Sequence, residues 1–218
     1  MKLRPFRFST FALSVILTLL ACLTMATNRI QAQVVTEHQP QNFLKMQQID
    51  THKAPAPAAK ASDVASLDAI LVAVYDAISG PKGKARDWDR FRSLFAPGAR
   101  LIPTAKRPTG EAASRALTVE EFIASSGKFM EEQGFFEQGI ANHVETFAHI
   151  AHVFSVYEGR HDLKDPKPFV RGINSIQLMN DGTRWWVITI FWQAEDPANP
   201  IPKHYLKTGK KVMAGASG

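Results

Sequence analysis

Between residues 134 and 195 apolar and aromatic side chains fall in four runs that no helical period joins, the last being Arg184-Trp185-Trp186-Val187-Ile188-Thr189-Ile190-Phe191-Trp192. Runs of this kind, at about 135–147, 149–158, 169–179 and 184–193, read as β-strands. Asn180-Asp181-Gly182-Thr183 tolerates the positive φ angles of a tight turn, which makes the last two strands antiparallel neighbours. Upstream the period changes. Val64, Leu67, Ile70, Leu71, Val74, Tyr75 and Ile78 recur at helical spacing behind Ser62 or Asp63 and stop at Gly80-Pro81. A short second helix fits 88–95, after which Ala96-Pro97-Gly98 turns the chain into a brief strand at 99–102. Residues 103–116 read as a polar loop or hairpin at the rim. Thr118 and Glu121 form a capping box for a third helix, 119 to about 133, which Gly134 ends. Helices followed by strands predict an α+β domain, its helices covering one face of a strongly curved, mostly antiparallel sheet.

Both sides of the last strand are apolar. Regular alternation puts Trp186, Ile188, Ile190 and Trp192 on one face and Trp185, Val187, Thr189 and Phe191 on the other. A sheet with one solvated face has no use for this. One side is therefore expected to pack on the helices and line a cavity, and the other to meet a second copy in a homodimer.

The ends carry other information. Lys2, Arg4 and Arg7 precede a short apolar run, 11–21, the pattern of an export signal of about 32 residues. Leu19-Leu20-Ala21-Cys22 resembles a lipoprotein box, the alternative in which the chain is lipid-anchored through Cys22. Periplasmic or secreted placement is the expectation. The Gln-, Pro- and Ala-rich stretch 33–62 reads as a flexible spacer, 63–206 as the domain, and 207–218 as a basic tail. Cys22 is the only cysteine, so no disulfide is available and stability must come from the core. The formal net charge of +6 owes Lys2, Arg4, Arg7 and Arg29 to the removable segment and Lys203, Lys207, Lys210 and Lys211 to the C-terminus. What lies between is slightly acidic, which argues against nucleic acid as a partner. No apolar run in the mature chain is long enough for a transmembrane segment.

Two stretches and the order of the elements carry a family likeness. Asp87-Trp88-Asp89-Arg90-Phe91-Arg92-Ser93-Leu94-Phe95-Ala96-Pro97-Gly98-Ala99, the closing Asp181-Gly182-Thr183-Arg184-Trp185-Trp186-Val187-Ile188, and the helix-helix-strand-helix order together resemble the nuclear transport factor 2-like (NTF2-like) superfamily, which includes polyketide cyclase-like and ketosteroid isomerase-like proteins. Gly134-Phe135-Phe136-Glu137, Ala151-His152-Val153-Phe154-Ser155 and Arg171-Gly172-Ile173-Asn174-Ser175 look like blocks of exported bacterial members without an assigned activity. The resemblance covers about 63–207. It implies a cystatin-like cone, with a pocket between bent sheet and helices, in a dimer, and it speaks for fold rather than chemistry.

Candidate chemistry is sparse. An isomerase of that superfamily needs a carboxylate base and an oxyanion partner in a dry cavity. Tyr75 is placed to be such a donor or a core residue with a bonded hydroxyl, but residues 99–102 and the last two strands hold no acid before Glu195. That argues against ketosteroid-type isomerisation. His149 and His152, three apart on a strand, point to opposite faces and cannot share a metal, and His143 would still need a third ligand such as Glu137 or Glu145. No metal or other cofactor is expected. His152, flanked by Ile150, Phe154 and Val156, is the candidate for a neutral imidazole base, and Asn174 for a buried polar contact. Trp186 and Trp192 would form an aromatic wall for a flat ligand. Arg171 is either a clamp at the rim or the ion-pair partner of Glu145 or Glu158. The leading expectation is binding of a small, largely apolar ligand without a catalytic set. The alternatives are a lyase, isomerase or cyclase with His152 as base, and a protein-interaction module.

Overall fold

The computed structural model describes residues 57–207. The expected export signal with Cys22, most of the expected spacer, and the expected basic tail beyond Lys207 lie outside the described residues.

Six elements precede the strand block. A single helical turn, α1 (Ala61–Val64), leads into α2 (Leu67–Ile78). Ser66, rather than Ser62 or Asp63, caps α2: its hydroxyl accepts the Ala69 amide N–H at 3.1 Å, so the helix restarts there. Asp87 caps the short α3 (Trp88–Ser93) in the same way, through the Arg90 amide N–H at 2.9 Å. The Arg90 guanidinium bonds Asp63 at 2.7 Å and also Asp76, so one side chain ties α1, α2 and α3 together. The strand expected at 99–102 is longer, β1 (Phe95–Lys106), and returns through a turn to β2 (Ala112–Ser114), which makes the rim segment a hairpin. Then comes α4 (Val119–Gln133), with the reciprocal capping box of Thr118 and Glu121 and with Gly134 at φ 73° ending it.

The remaining strands are β3 (Phe136–Phe147), β4 (Ile150–Arg160), β5 (Val170–Asn180) and β6 (Trp185–Ala194), and a short α5 (Lys203–Lys207) that the sequence did not announce. They form one six-stranded sheet in the order β2-β1-β6-β5-β4-β3, antiparallel except where β1 runs parallel to β6. The α+β architecture expected from the element order is the one observed. The inner face packs Val153, Ile176, Leu178 and Val187 against Ile70, Leu71 and Val74 of α2. On the outer face Val156 and Ala141 form a second, smaller cluster with Ile201.

Bulges bend the sheet and reset its phase. Register shifts occur in β1 between Phe95 and Arg100, in β3 between Gly139 and Ala141, and in β6 opposite Gln177 and Leu178. The last of these overturns the simple alternation read from the sequence. Leu178 pairs with Val187 but Gln177 with Thr189, so Ile188 is the extra residue. Trp185 and Val187 are therefore on the helix side together with Ile190 and Trp192. Trp186 falls on the other side, where its indole N–H donates to Asp181 at 2.6 Å and its ring stacks under the Arg184 guanidinium at 3.5 Å. It braces the hairpin turn instead of forming a cavity wall.

One buried cation fastens the helices over the sheet. Arg86 is 7% exposed. Its guanidinium donates to the carbonyls of Ile78 at 3.0 Å, Gly80 at 2.7 Å and Met130 at 2.7 Å, and also to that of Lys84. The C-terminal ends of α2 and α4 thus share one donor fork, which satisfies carbonyls that a helix end leaves open. Arg86→Met should strand those acceptors and cost about 3 kcal/mol or more. That corresponds to a loss of roughly 6–12 °C in Tm for a domain of this size. Arg86→Lys should recover only part of it, since an ammonium with three donors cannot serve four carbonyls. Thermal unfolding followed by circular dichroism measures both, and a Tm for Arg86→Met within 2 °C of the parent refutes the role.

Candidate functional site

A row of polar residues crosses the inner face where the sheet bends. Asn142 of β3, Ser155 of β4 and Asn174 of β5 are paired side by side, and Trp192 of β6 continues the row. All three polar side chains are buried. The next row holds Gly139, Tyr157 and Gly172, with Tyr157 flanked by a glycine on each neighbouring strand. The glycines make the space. A Cβ at Gly139 would come within 3.0 Å of both the Tyr75 ring and Ser155 Oγ, and one at Gly172 within 2.6 Å of the Tyr157 hydroxyl and 2.4 Å of the Gln193 carbonyl. The Tyr75 ring therefore presses on Gly139 and the hydroxyl end of Tyr157 on Gly172, where a side chain would crowd them.

Above these rows is a cavity of about 300 Å³, roofed by α2 and α4 and closed at one side by α3. Its walls are apolar, with Val74, Ile78, Phe91, Phe122, Ile176 and Trp192 among them, while half-exposed Phe129 and Ser125 of α4 stand at its edge. The polar groups converge at one place. Asn174 donates to the Tyr75 hydroxyl at 3.2 Å and to Glu137 Oε1 at 3.2 Å. The Tyr75 hydroxyl in turn shares a 2.6 Å hydrogen bond with Ser155 Oγ, either atom donating. Tyr157 lines the same end. Ser79 holds the start of β3 to α2: its hydroxyl donates to the Tyr75 carbonyl at 2.7 Å and accepts the Glu137 amide N–H at 3.0 Å.

Burial drives the electrostatics. Desolvation raises the Glu137 carboxyl from 4.5 to about 7, opposed only by the Asn174 hydrogen bond. Both phenols are pushed up from their usual range, by burial first and then by the neighbouring Glu137 charge, so Tyr75 and Tyr157 remain protonated donors. The cluster thus combines one carboxyl that exchanges its proton near neutrality with two hydroxyls and an amide that can only offer or receive hydrogen bonds. That is a set able to grip a polar group and to move a proton to or from it.

The structure brings Tyr75, Asn174 and Trp192 together on this cavity and separates them from the other candidates. His152 is on the outer face, paired across from Gln177, with its ring nitrogen 3.0 Å from Ser175 Oγ and a side chain 41% exposed. Ile150, Phe154 and Val156 do share its face, as the alternation required, but that face is not the one under the helices. His143 is on the same outer side, its Nε2 3.2 Å from the Tyr205 carbonyl. Arg171 makes no rim clamp: it lies between Glu158 at 3.6 Å and Glu195 at 3.5 Å. A base at His152 therefore cannot reach anything held by Asn174. The acid missing from 99–102 and from the last two strands is Glu137, which enters from the first inner position of β3. Its signal in the sequence is Glu137-x-Gly139, an acid two residues before a glycine and so on the same strand face as the space that glycine leaves. Among the described residues no group of three or more His, Cys, Asp or Glu side chains is arranged to hold a metal ion, and no helix is long and apolar enough to cross a membrane.

No family model matches the chain, and no curated protein does either. Solved structures similar to it are NTF2-like and cystatin-like proteins. One, from Nostoc punctiforme, is a protein of unknown function with a cystatin-like fold, 15% identical, with 62% of this chain and 94% of that one aligned at a TM-score of 0.43. Another, an NTF2-like protein of unknown function from Silicibacter pomeroyi, is 17% identical over 60% of this chain and 94% of that one, with a TM-score of 0.40. A third, an NTF2-like protein from Methylobacillus flagellatus, also of unknown function, is 10% identical over 60% and 95%, again with a TM-score of 0.40.

A raised carboxyl makes stability fall with pH. Below about 4.5 Glu137 is neutral folded or unfolded. Between 4.5 and 7 the unfolded chain sheds the proton that the folded one keeps, so the folded state loses up to about 3 kcal/mol across that window and nothing further above it. Glu137→Gln removes this component. The variant's Tm relative to the parent should therefore rise by several degrees between pH 5 and pH 8. A parent-to-variant difference that stays constant across that range means that Glu137 carries no such burden.

Proposed function

We propose that the cone is a binding site for one small, largely apolar molecule whose polar group is held by Glu137, Asn174 and the Tyr75 and Tyr157 hydroxyls. The observation that carries this reading is an apolar cavity of ligand size with its polar groups gathered at a single end. Packing for stability alone gives no reason to keep a carboxyl there, since an uncompensated buried acid destabilises the fold. A second reading is favoured by one specific feature: a carboxyl poised near neutrality beside phenol donors suits proton transfer, so a lyase, isomerase or cyclase using Glu137, and not His152, as its base belongs to the same site. Export before function, with the signal segment removed, completes the proposal.

Native and denaturing mass spectra of the chain purified from cells test the binding reading. The native species should exceed the denatured chain by a small releasable mass, and Ile176→Trp, which fills the cavity, should abolish it. An empty parent chain that also fails to take up the neutral naphthalene dye prodan would falsify the reading. The outer face supports a second part of the proposal, a homodimer. Phe147, Ile150, Met179 and Phe191 are exposed there, and a second copy would cover them. Sedimentation at micromolar concentration should return twice the chain mass, and Phe191→Glu should return one chain. A monomeric parent points to a different protein as the occupant of that face.

A further inference from the structure

The cavity holds one acid and no base. None of its lining side chains is Lys, Arg or His. Asn174 from β5 bonds the Glu137 carboxyl, and Tyr75 from α2 and Tyr157 from β4 lie near enough to feel its charge, none of them a cation. Arg86, behind the wall that Ile78 and Met130 form, has its guanidinium occupied by the carbonyls of those two residues and of Gly80. Among the described residues a carboxylate in such a place has no counter-charge. The same cavity is lined by the rings of Phe91, Phe122, Phe135 and Trp192, a wall suited to a flat hydrocarbon body.

Resting on the binding reading above, we propose that the ligand is a monocationic amine, its ammonium group seated against the Glu137 carboxylate and its flat hydrocarbon body among the aromatic rings. An anion would add a second uncompensated charge of the same sign. A neutral molecule would leave Glu137 either charged without a partner or protonated. An ammonium gives the carboxylate both N–H donors and a counter-charge, while the hydrocarbon body it carries fills the aromatic part of the cavity. The pH dependence has a definite sign. Burial keeps Glu137 protonated up to about 7, so binding an ammonium below neutrality must expel that proton into solvent. Affinity should then fall about tenfold for each pH unit below 7 and level off above it, until the amine itself loses its charge.

Titration calorimetry of the intact chain with naphthalen-2-ylmethylamine and with its neutral counterpart naphthalen-2-ylmethanol tests this at pH 5, 6 and 8. Two buffers of different ionisation enthalpy give the proton count. The amine should bind one to one and at least tenfold more tightly than the alcohol at pH 8, release close to one proton at pH 6, and lose most of its advantage at pH 5. Glu137→Gln should bind amine and alcohol alike at every pH. The proton count on the parent chain decides the matter even where that variant folds poorly. Equal affinity for amine and alcohol at pH 8, or no proton released at pH 6, overturns the cationic ligand while leaving the binding site standing. Failure of every one- and two-ring amine and alcohol of this kind to bind at millimolar concentration overturns the binding reading as well.

Discussion

The fold is organised around a carboxyl that its own interior does not neutralise. Glu137 enters the apolar cone at the start of β3, and Asn174, Tyr75 and Ser155 are linked to it in turn. Asn174 spans the gap from its Oε1 to the Tyr75 hydroxyl, and Tyr75 reaches on to Ser155. Without that chain an acid, an amide and two hydroxyls would be buried unpaired, each at a cost of kilocalories. Satisfied, they fix the rotamer of Tyr75, and so the seating of α2 on the sheet.

That arrangement needs room, and the backbone supplies it. Tyr157 lies between Gly139 and Gly172, and Tyr75 crosses Gly139, contacts that no side chain larger than hydrogen leaves open. Immediately beyond Gly139 the register of β3 shifts, and β6 carries its own extra residue at Ile188. Bulges increase the local twist. Here they bend the strands around the helices, so that a sheet which would otherwise lie flat against α2 stands away from it and encloses space. Pocket and curvature have the same cause.

Much of this was legible in the chain. The four strands, the capping box at Thr118 and Glu121, the hairpin at Asn180-Asp181-Gly182-Thr183 and the α+β order all follow from local chemistry, which the surrounding structure does not override. The site was legible only in part, for a physical reason. Alternation tells which residues of a strand share a face, and it grouped His152 correctly with Ile150, Phe154 and Val156. It does not tell which face is inside when both are apolar, and here Val156 is buried by Ile201 from the C-terminal segment rather than by the helices. Trp186 fails differently: one bulge shifts it out of phase with Trp192, and no period-2 reading can foresee an inserted residue. Glu137 stands outside the strands nearest the chain's aromatic end, where the base is expected, because β3 reaches the cavity from the opposite edge of the sheet.

The two buried charges near the cavity are handled in opposite ways, and the contrast explains the site. Arg86 cannot lose its proton at any ordinary pH, so the fold must solvate it permanently, and it does so with the open carbonyls of two helix ends and of the loop that follows α2. The same bonds that satisfy the cation close α2 and α4 over the sheet. Glu137 has an alternative open to it, because a carboxyl can take up a proton and become neutral. It can therefore remain in an apolar cavity with one amide donor and no cation, at a modest price that varies with pH instead of a fixed one. Giving it an arginine partner would have made it permanently charged, satisfied and inert. Left uncompensated, its charge is available only to something that enters the cavity from outside.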